Sequence, residues 1–245
     1  MDAIRQASVK KISVCMTSFN GEMYIEEQLN SILHQLREND EVIISDDGST
    51  DNTIKIIESL KDPRIRLFHS SFGDIVLNFE NALKKVTGDI IFLSDQDDIW
   101  YDNKVEEICR LLEAHDLIYT NASVFNNEKE KNRPFNKKEN YSVLKNFVKN
   151  NCLGATMAFN TKLLEYCLPF PKKIPMHDMW IYFVSAFYGK TLYYNKPLIY
   201  YRRHGSNASN ASEKTSNSIF KVLAIRVTLF TSVFKRLCLN AIKSI

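Results

Sequence analysis

The sequence lacks the marks of several protein classes. It has only five cysteines, an odd number, and none of them forms a Cys-x-x-Cys pair. Such a scattered set fits neither a disulfide framework nor a zinc site, and it favours a reducing compartment. Residues 1–11 are polar and lack the apolar stretch of a secretory signal, so we expect a cytosolic protein. The net charge of +3 is too small to indicate a nucleic-acid partner.

The composition fits one substantial folded core. The chain has 245 residues, of which 44% are hydrophobic and 25% are charged. These values are typical of a globular protein, and a chain of this length can form one large domain, alone or with an appendage.

Short apolar runs alternate with segments of helical period along the first half of the chain. This alternation predicts an α/β fold with a mostly parallel, Rossmann-like sheet flanked by helices. Less regular strands are predicted at 153–159 and around Leu192 and Ile199, and a polar surface loop at 126–140. The predicted strands of the first half are 12–17, 41–45, 65–68, 89–93 and 117–122.

Polar and acidic residues follow three of these strands directly. Thr17-Ser18 ends the first strand, Asp46-Asp47-Gly48 the second, and Asp95-Gln96-Asp97-Asp98 follows the fourth. Ligands of open α/β sheets bind at the carboxyl ends of strands, so the three loops are expected to form one crevice.

The three aspartates after the fourth strand are hard oxygen ligands within four residues. Acidic clusters also cap helices and occupy turns, which is the ordinary alternative. Three carboxylates at the mouth of a buried strand repel one another unless a positive group lies among them. Their position therefore favours a bound divalent cation, which would neutralise a leaving diphosphate.

Three motifs in order carry a resemblance to a known family. They are Ser13–Gly21 (SVCMTSFNG), Ile43–Asp51 (IISDDGSTD) and Gly88–Trp100 (GDIIFLSDQDDIW). With these motifs the chain resembles the inverting glycosyltransferases of family 2, which have the GT-A fold. The similarity extends to about Asn207 and is greatest to rhamnosyltransferase-like enzymes of bacterial capsule, O-antigen and cell-wall polysaccharide synthesis.

The resemblance implies roles for residues of all three motifs. Asp47 would bind the base through its imide edge, with Asp46 as a supporting neighbour, and Asp95 or Asp98 would reach the ribose or metal-bound waters. Asp97 would be the main ligand of Mn²⁺ or Mg²⁺, with Asp98 and His204 as further ligands. The residues implied to bind the nucleotide sugar in these motifs are Thr17, Ser18, Asn20, Asp46, Asp47, Asp95 and Gln96.

An inverting transferase needs a base opposite the leaving group. The resemblance places it at Asp178, at the start of a predicted helix. An aspartate there is also an ordinary partner of the helix dipole, which leaves a structural role open. Trp180 nearby favours the catalytic role because aromatic rings line sugar sites and desolvate carboxylates. His177 and Trp180 are expected to contact the acceptor, although packing is an alternative for His177.

Two later segments match more loosely. Gly154 would let the backbone approach the donor sugar, or it is an ordinary strand glycine. The segment 201–207 resembles one in which arginine and histidine bind the diphosphate or complete the metal shell, and a basic surface loop is the alternative. Which of Arg202 and Arg203 contacts the phosphates stays open.

The C-terminal residues form a predicted amphipathic helix. Its apolar stripe comprises Phe220, Leu223, Val227, Phe230, Phe234, Leu237 and Ala241, with Lys221, Lys235, Arg236 and Lys243 opposite. Charged residues interrupt the run, which disfavours a bilayer-spanning helix. The stripe would lie on the inner face of the plasma membrane or form a dimer seam.

These expectations divide the chain into a glycosyltransferase domain at 1–212 and a helical tail at 213–245. The domain comprises a nucleotide-binding half at about 10–125 and an acceptor-binding half at about 140–212. The donor would be a dTDP- or UDP-sugar, and the acceptor a glycan, often lipid-linked. The alternatives are a sugar-phosphate nucleotidylyltransferase, disfavoured because no glycine-rich loop with Arg and Lys follows the first strand, and a non-catalytic nucleotide-sugar binding module.

Overall fold

The structure, a computed structural model, describes residues 10–125, 133–135, 152–172, 174–204 and 219–243. Within these ranges nine strands form one sheet. The strands are β1 (Ile12–Ser18), β2 (Glu41–Asp46), β3 (Ile65–His69), β4 (Ile90–Ser94), β5 (Ile99–Trp100), β6 (Leu117–Phe125), β7 (Arg133–Pro134), β8 (Met157–Asn160) and β9 (Thr191–Arg202). The helices are α1 (Ile25–Leu33), α2 (Thr53–Ser59), α3 (Ile75–Leu83), α4 (Lys104–Leu111), α5 (Leu164–Cys167), α6 (His177–Tyr188) and α7 (Ile219–Lys243).

The sheet is parallel in its first half and mixed in its second. Its strand order is β3-β2-β1-β4-β8-β6-β9-β5, with β7 paired to β6. Strands β3, β2, β1 and β4 are parallel, whereas β8 is antiparallel to both β4 and β6. The predicted α/β architecture is confirmed.

Helices cover both faces of the sheet because its central strands are apolar on both sides. Alternate residues of β1 point to opposite faces, so Val14 packs with α1, α2 and α4, and Cys15 packs with α3 and α6. All seven residues of β1 are buried. The helices thus hold β1 in the middle of the molecule, with β2 and β4 beside it.

Three local predictions differ from the structure. The expected strand at 153–159 is a 3₁₀ turn, Gly154–Thr156, followed by β8. The two short strands expected near Leu192 and Ile199 are the single strand β9. A register shift opposite Asn121 accommodates Pro197 within β9, so the proline marks a bulge and does not end the strand. β5 was not predicted because two residues carry too little pattern.

The C-terminal helix α7 packs on α6 with a face other than the predicted stripe. Leu229 and Val233 are buried against the core, whereas Val227, Phe230 and Phe234 of the predicted stripe are exposed. Arg236, expected on the outer side, donates hydrogen bonds to the carbonyls of Leu168 and Pro169. The side chains of Phe220, Lys221, Leu223, Leu237, Ala241 and Lys243 lie outside the described residues.

None of the helices in the described ranges is both long and apolar enough to cross a bilayer. Most of the predicted 126–140 loop lies outside those ranges. Its residues Arg133 and Pro134 form β7, which pairs with β6.

The turn before β4 gives a prediction about packing. A Cβ atom at Gly88 would lie 2.7 Å from Ser13 Oγ and 2.8 Å from the Lys11 carbonyl oxygen. Gly88→Ala should therefore lower the free energy of unfolding by about 1–3 kcal/mol, the usual cost of overpacking, as measured by urea denaturation. Ser71→Ala, in an exposed loop, is the control and should stay within about 0.5 kcal/mol of wild type. An equally small change for Gly88→Ala would contradict the steric argument.

Candidate active site

The ends of β1, β2 and β4 lie side by side at one edge of the sheet. β1 pairs in parallel with both neighbours, with Ser18 opposite Asp46 and Met16 opposite Ser94. The loops that follow these strands therefore share one edge, as the sequence predicted. Thr17, a predicted nucleotide-binding residue, is 7% exposed near the end of β1.

Hydrogen bonds fasten the three loops to one another. The backbone N–H of Asn20 donates to Ser49 Oγ at 2.9 Å, and Asn20 Oδ1 accepts from the Thr50 N–H at 2.8 Å. Gln96 pairs with the backbone of Phe19 through two hydrogen bonds, both 2.9 Å long. Asn20 and Gln96, both predicted to bind the nucleotide, thus tie the three loops together.

Asp46 lies beneath the crevice. It is fully buried and accepts hydrogen bonds from the hydroxyls of Ser18 and Ser49 and from the backbone N–H groups of Gly48 and Ser49. Gly48 has a φ of 83°, which glycine adopts without strain. Asp46 and Ser18 therefore stabilise the turn that follows β2. This agrees with the supporting role that the resemblance implied for Asp46.

Asp47 lies beside the loop between β3 and α3. Its Oδ1 accepts from the Phe72 N–H, and its Oδ2 accepts from the Asp74 N–H at 3.3 Å. A carboxylate oxygen has a second lone pair, so Asp47 retains acceptor capacity for an imide N–H.

The three aspartates after β4 form a compact cluster, which we call the acidic cluster: Asp95, Asp97 and Asp98. Each offers one oxygen, and these oxygens lie within 4.8 Å of one another. Asp98 is 1% exposed, and its Oδ2 has no hydrogen-bond partner among the described residues. A buried carboxylate oxygen without a donor is costly, and a divalent cation that prefers oxygen ligands would satisfy it. The residues present therefore fit a metal site.

Burial and mutual repulsion make the acidic cluster hard to ionise without a cation. Burial, followed by the charges of Asp97 and Asp178, raises the pKa of Asp95 to about 7. Burial, followed by the charges of Asp97 and Asp95, raises the pKa of Asp98 well above its usual range. Such shifts are common at functional sites.

His204 and Arg202 reach the cluster from the end of β9. His204 Nε2 lies 2.8 Å from Asp97 Oδ2, so the histidine is within reach of the predicted metal site. Arg202 is 7% exposed, donates to the Asp97 carbonyl at 2.8 Å and forms an ion pair with Glu27 at 2.6 Å. Its guanidinium thus stabilises the backbone of the loop that carries the acidic cluster. The Tyr24 ring stacks on His204 and faces Arg202.

Tyr24 and Glu27, at the start of α1, were not among the predicted site residues. Arg203, the other diphosphate candidate, is partly buried, and its backbone N–H donates to the Phe125 carbonyl. The remainder of the 201–207 segment, from residue 205 onward, lies outside the described residues.

Lys104 is a further buried residue near the site that the sequence did not indicate. It begins α4 and is fully buried, donating to the Ala155 carbonyl at 3.0 Å. Burial lowers its pKa to about 7, against the opposing effect of Asp98 and Asp95. The available signal was a lysine at the first position of a helix, where positive charge opposes the helix dipole.

Asp178 lies in the first turn of α6, as predicted. It is 6% exposed, and its Oδ1 accepts from the Met179 N–H at 2.6 Å. Burial raises its pKa to about 6, and its charge acts on Asp95 of the acidic cluster. A carboxylate with this pKa is suited to accept a proton near neutral pH.

Gly154 lies close to α6. A Cβ atom there would lie 2.8 Å from His177 Nε2 and 3.4 Å from Asp178 Cβ. The glycine is therefore required for packing against the helix that carries Asp178, whereas the sequence placed it under the donor sugar.

The structure contradicts the acceptor-contacting roles expected for Trp180 and His177. Trp180 is fully buried, and its indole N–H donates to the Cys167 carbonyl. His177 is 3% exposed and stacks on Phe79 at 3.8 Å between ring centroids. Burial lowers the pKa of His177 to about 3, so the ring is neutral. Both aromatic side chains thus lie in the core, where Trp180 contacts α5 and His177 contacts α3.

Comparison with known proteins places this arrangement in a family. The family described as glycosyl transferase family 2 matches residues 13–189. The dTDP-rhamnosyl transferase RfbG of Shigella flexneri is 31% identical over 219 residues, which cover 80% of this chain and 74% of RfbG. The Escherichia coli UDP-Glc:alpha-D-GlcNAc-diphosphoundecaprenol beta-1,3-glucosyltransferase WfgD is 36% identical over 120 residues, which cover 47% of each chain.

Solved structures show the same fold. S. aureus TarS 1–349 in complex with UDP-GlcNAc superposes with a TM-score of 0.66 at 19% identity, covering 89% of this chain. The present chain spans 66% of that TarS chain. The expected GT-A fold is confirmed, and the family match covers most of the sequence. The chain belongs to glycosyl transferase family 2.

Proposed function

We propose that this protein transfers a sugar, with inversion, from a nucleoside diphosphate sugar to a hydroxyl group of a cell-surface glycan. One observation carries the proposal: a compact acidic cluster with a buried, unsatisfied carboxylate oxygen lies at the strand ends, electrostatically linked to Asp178. Family membership favours this reaction over the nucleotidylyltransferase alternative.

Asp97, Asp98 and His204 would hold Mn²⁺ or Mg²⁺. When bound, such a cation neutralises the diphosphate as the glycosidic bond breaks. His204 lies 2.8 Å from Asp97, and both side chains are only slightly exposed, so few atoms need to move to form the site. Asp95 would act on metal-bound waters or on the ribose, and Arg202 or Arg203 would contact the diphosphate.

Asp178 would act as the general base. A neutral hydroxyl attacks poorly, and removal of its proton as the bond to the sugar carbon forms makes the attack productive. The carboxylate is suited to this task because burial raises its pKa to about 6, which leaves it ionised yet basic at neutral pH. A non-catalytic nucleotide-sugar binding module would not need a carboxyl group with a raised pKa at this position.

The donor would be dTDP-rhamnose or a UDP-hexose, and the acceptor a lipid-linked glycan. The Shigella relative is named a dTDP-rhamnosyl transferase, the E. coli relative carries UDP-Glc and a diphosphoundecaprenol acceptor in its name, and the TarS structure contains UDP-GlcNAc. Asp47 suits either base because thymine and uracil present the same imide edge.

The exposed stripe of α7 would bind the cytoplasmic face of the membrane. Val227, Phe230 and Phe234 are each more than half exposed and recur at helical spacing, and Lys235 beside them is exposed as well. Exposed aromatic side chains with a neighbouring cation match an interfacial helix on anionic lipid. This position would bring the crevice near a lipid-linked acceptor.

The catalytic proposal predicts the behaviour of an Asp178→Asn variant. Removal of the base should lower kcat by about 10²- to 10⁴-fold, while the Kd for UDP or dTDP stays within about twofold, because Asn preserves size and hydrogen bonding. Transfer from dTDP-rhamnose and from UDP-glucose to a lipid-linked glycan, followed by mass spectrometry and NMR of the anomeric linkage, measures the effect.

The same assay gives the pH dependence. Because Asp178 must be ionised, wild-type kcat should rise about tenfold per pH unit below about pH 6 and level off above it. Asp102→Asn is the matched control, since the Asp102 side chain is 95% exposed, and it should keep wild-type kcat and the same profile. Undiminished turnover in Asp178→Asn would remove this residue from the mechanism.

The membrane proposal predicts loss of vesicle binding on removal of the aromatic stripe. Phe230→Ser combined with Phe234→Ser should reduce co-sedimentation with phosphatidylglycerol vesicles at least about fivefold, because two large apolar side chains no longer enter the interface. Thr231→Ala, at an exposed position next to the stripe that carries no large apolar side chain, should bind as wild type does. A variant that sediments normally but changes from dimer to monomer would support the dimer seam and refute the membrane role.

A further inference from the structure

The first turn of α1 contacts the loop that carries the acidic cluster at two points. Gln28 is fully buried, and its side-chain amide donates to the Asp95 carbonyl at 3.1 Å. Glu27, the residue before it, forms an ion pair with Arg202 at 2.6 Å. Arg202 in turn donates to the Asp97 carbonyl at 2.8 Å. Two consecutive residues of one helix thus fix the loop, one of them directly and the other through the end of β9.

The Arg202 side chain depends on Glu27 for its counter-charge. The side chain of Arg202 is 8% exposed, whereas that of Glu27 is 54% exposed. A guanidinium taken out of water is costly unless an opposite charge pairs with it, and loss of the partner leaves that cost uncompensated. The backbone N–H of Arg202 also donates to Asp98 Oδ1 at 3.1 Å. Glu27 therefore helps to determine where the end of β9 lies relative to the acidic cluster.

Tyr24 orients the histidine that follows Arg202 in the chain. It lies three residues before Glu27, on the same side of α1. Its ring stacks on His204 with 4.8 Å between the ring centroids and an interplanar angle of 28°, and the guanidinium carbon of Arg202 lies 4.8 Å from the Tyr24 centroid. His204 Nε2 lies 2.8 Å from Asp97 Oδ2. Because the stacked ring limits rotation of the imidazole, it keeps Nε2 directed at this carboxylate.

The helix that carries Tyr24 and Glu27 is itself firmly packed. Ile25, Leu29 and Ile32 are fully buried and lie in the same core cluster as Val14 of β1. Negative charge is favourable in the first turn of a helix, so Glu27 costs α1 nothing. A site is held most precisely when the side chains that orient its ligands project from a packed helix.

We propose that Glu27 and Tyr24 are positioning residues, which hold His204 at Asp97 and thereby preform the cation site before the donor arrives. Tyr24 acts on the imidazole directly, and Glu27 acts through Arg202. The proposal rests on the proposed function in one respect, namely that Asp97 and His204 bind a divalent cation.

Binding of Mn²⁺ to the nucleotide-free protein tests this role. Tyr24→Leu removes the stacked ring, and Glu27→Gln removes the charge that pairs with Arg202. Each change should raise the Mn²⁺ Kd, measured by EPR of free Mn²⁺, about tenfold, as is usual when a residue that orients a metal ligand is lost. Pulsed EPR of the bound ion should show the nitrogen coupling of a coordinated imidazole in wild type and not in these variants.

Two matched variants separate positioning from charge and from the loss of a side chain. Tyr24→Phe keeps the stacked ring, and Glu26→Gln removes an exposed carboxylate from the same helical turn. Both should keep the nitrogen coupling and a Kd within about twofold of wild type, because the ring stack and the Glu27–Arg202 pair remain. If Tyr24→Leu or Glu27→Gln retains the coupling, the proposal is overturned for that residue, even where its Kd rises.

A double-mutant cycle in EDTA tests the Glu27–Arg202 pairing without any cation. Glu27→Gln and Arg202→Met should each lower the melting temperature, and the double variant should lose less than the sum, because either single change leaves one charge without its partner. Glu26→Gln combined with Arg202→Met should be additive. Additive losses in the Glu27 cycle would overturn the role of this residue.

Failure of the proposed function gives a different result. A wild-type protein that binds no Mn²⁺ would refute the cation site, and the positioning role with it. Wild-type binding that neither Tyr24→Leu nor Glu27→Gln alters would refute the positioning role alone.

Discussion

Repulsion among three carboxylates is the constraint on which the rest of the site depends. Asp95, Asp97 and Asp98 lie within 4.8 Å of one another, at the end of a strand buried on both faces. Asp98 is almost fully buried and Asp95 and Asp97 are only partly exposed, so solvent can offset little of their repulsion and the surrounding chain must supply hydrogen-bond donors or positive charge. Arg202 donates to the Asp97 carbonyl and His204 Nε2 lies 2.8 Å from Asp97 Oδ2. In the proposed function a divalent cation completes this set.

The same requirement explains how the two halves of the sheet are joined. The loops after β1 and β2 belong to the parallel half, and β9 belongs to the mixed half. Arg202 at the end of β9 reaches Glu27 in the first turn of α1, and Tyr24 lies against both Arg202 and His204. The short strand β5 pairs with β9 and carries the chain from the cluster to Lys104. Residues that are far apart in sequence thus meet around the acidic cluster.

The parallel half of the sheet could be predicted from the sequence because each of its strands is marked by residues adjacent in sequence. Apolar runs marked β1, β2 and β4, and the polar residues after each run marked the strand ends. The Asp97–His204 contact followed only from the resemblance, since no local pattern joins residues 107 positions apart. Trp180 was expected at the acceptor because aromatic rings line sugar sites, but it is buried and its indole N–H donates to the Cys167 carbonyl, a contact that no local pattern shows. Lys104 was missed because charged residues are normally exposed.

The C-terminal helix illustrates the same limit. The sequence predicted one apolar stripe, but Leu229 and Val233 are buried in the cluster that includes residues of α6, whereas Val227, Phe230 and Phe234 are exposed. Two apolar stripes fit one helix, and only the tertiary contacts decide which of them is buried. The aromatic side chains of the other stripe, Phe230 and Phe234, stay exposed.

Calorimetric titration with UDP and dTDP, with Mn²⁺ or with EDTA, tests the central claim most directly. The account predicts that Mn²⁺ tightens binding of at least one of the two nucleotides about tenfold or more, and that Asp97→Asn abolishes this gain while the protein stays folded. Equal affinity with Mn²⁺ and with EDTA in the wild-type protein would contradict the account.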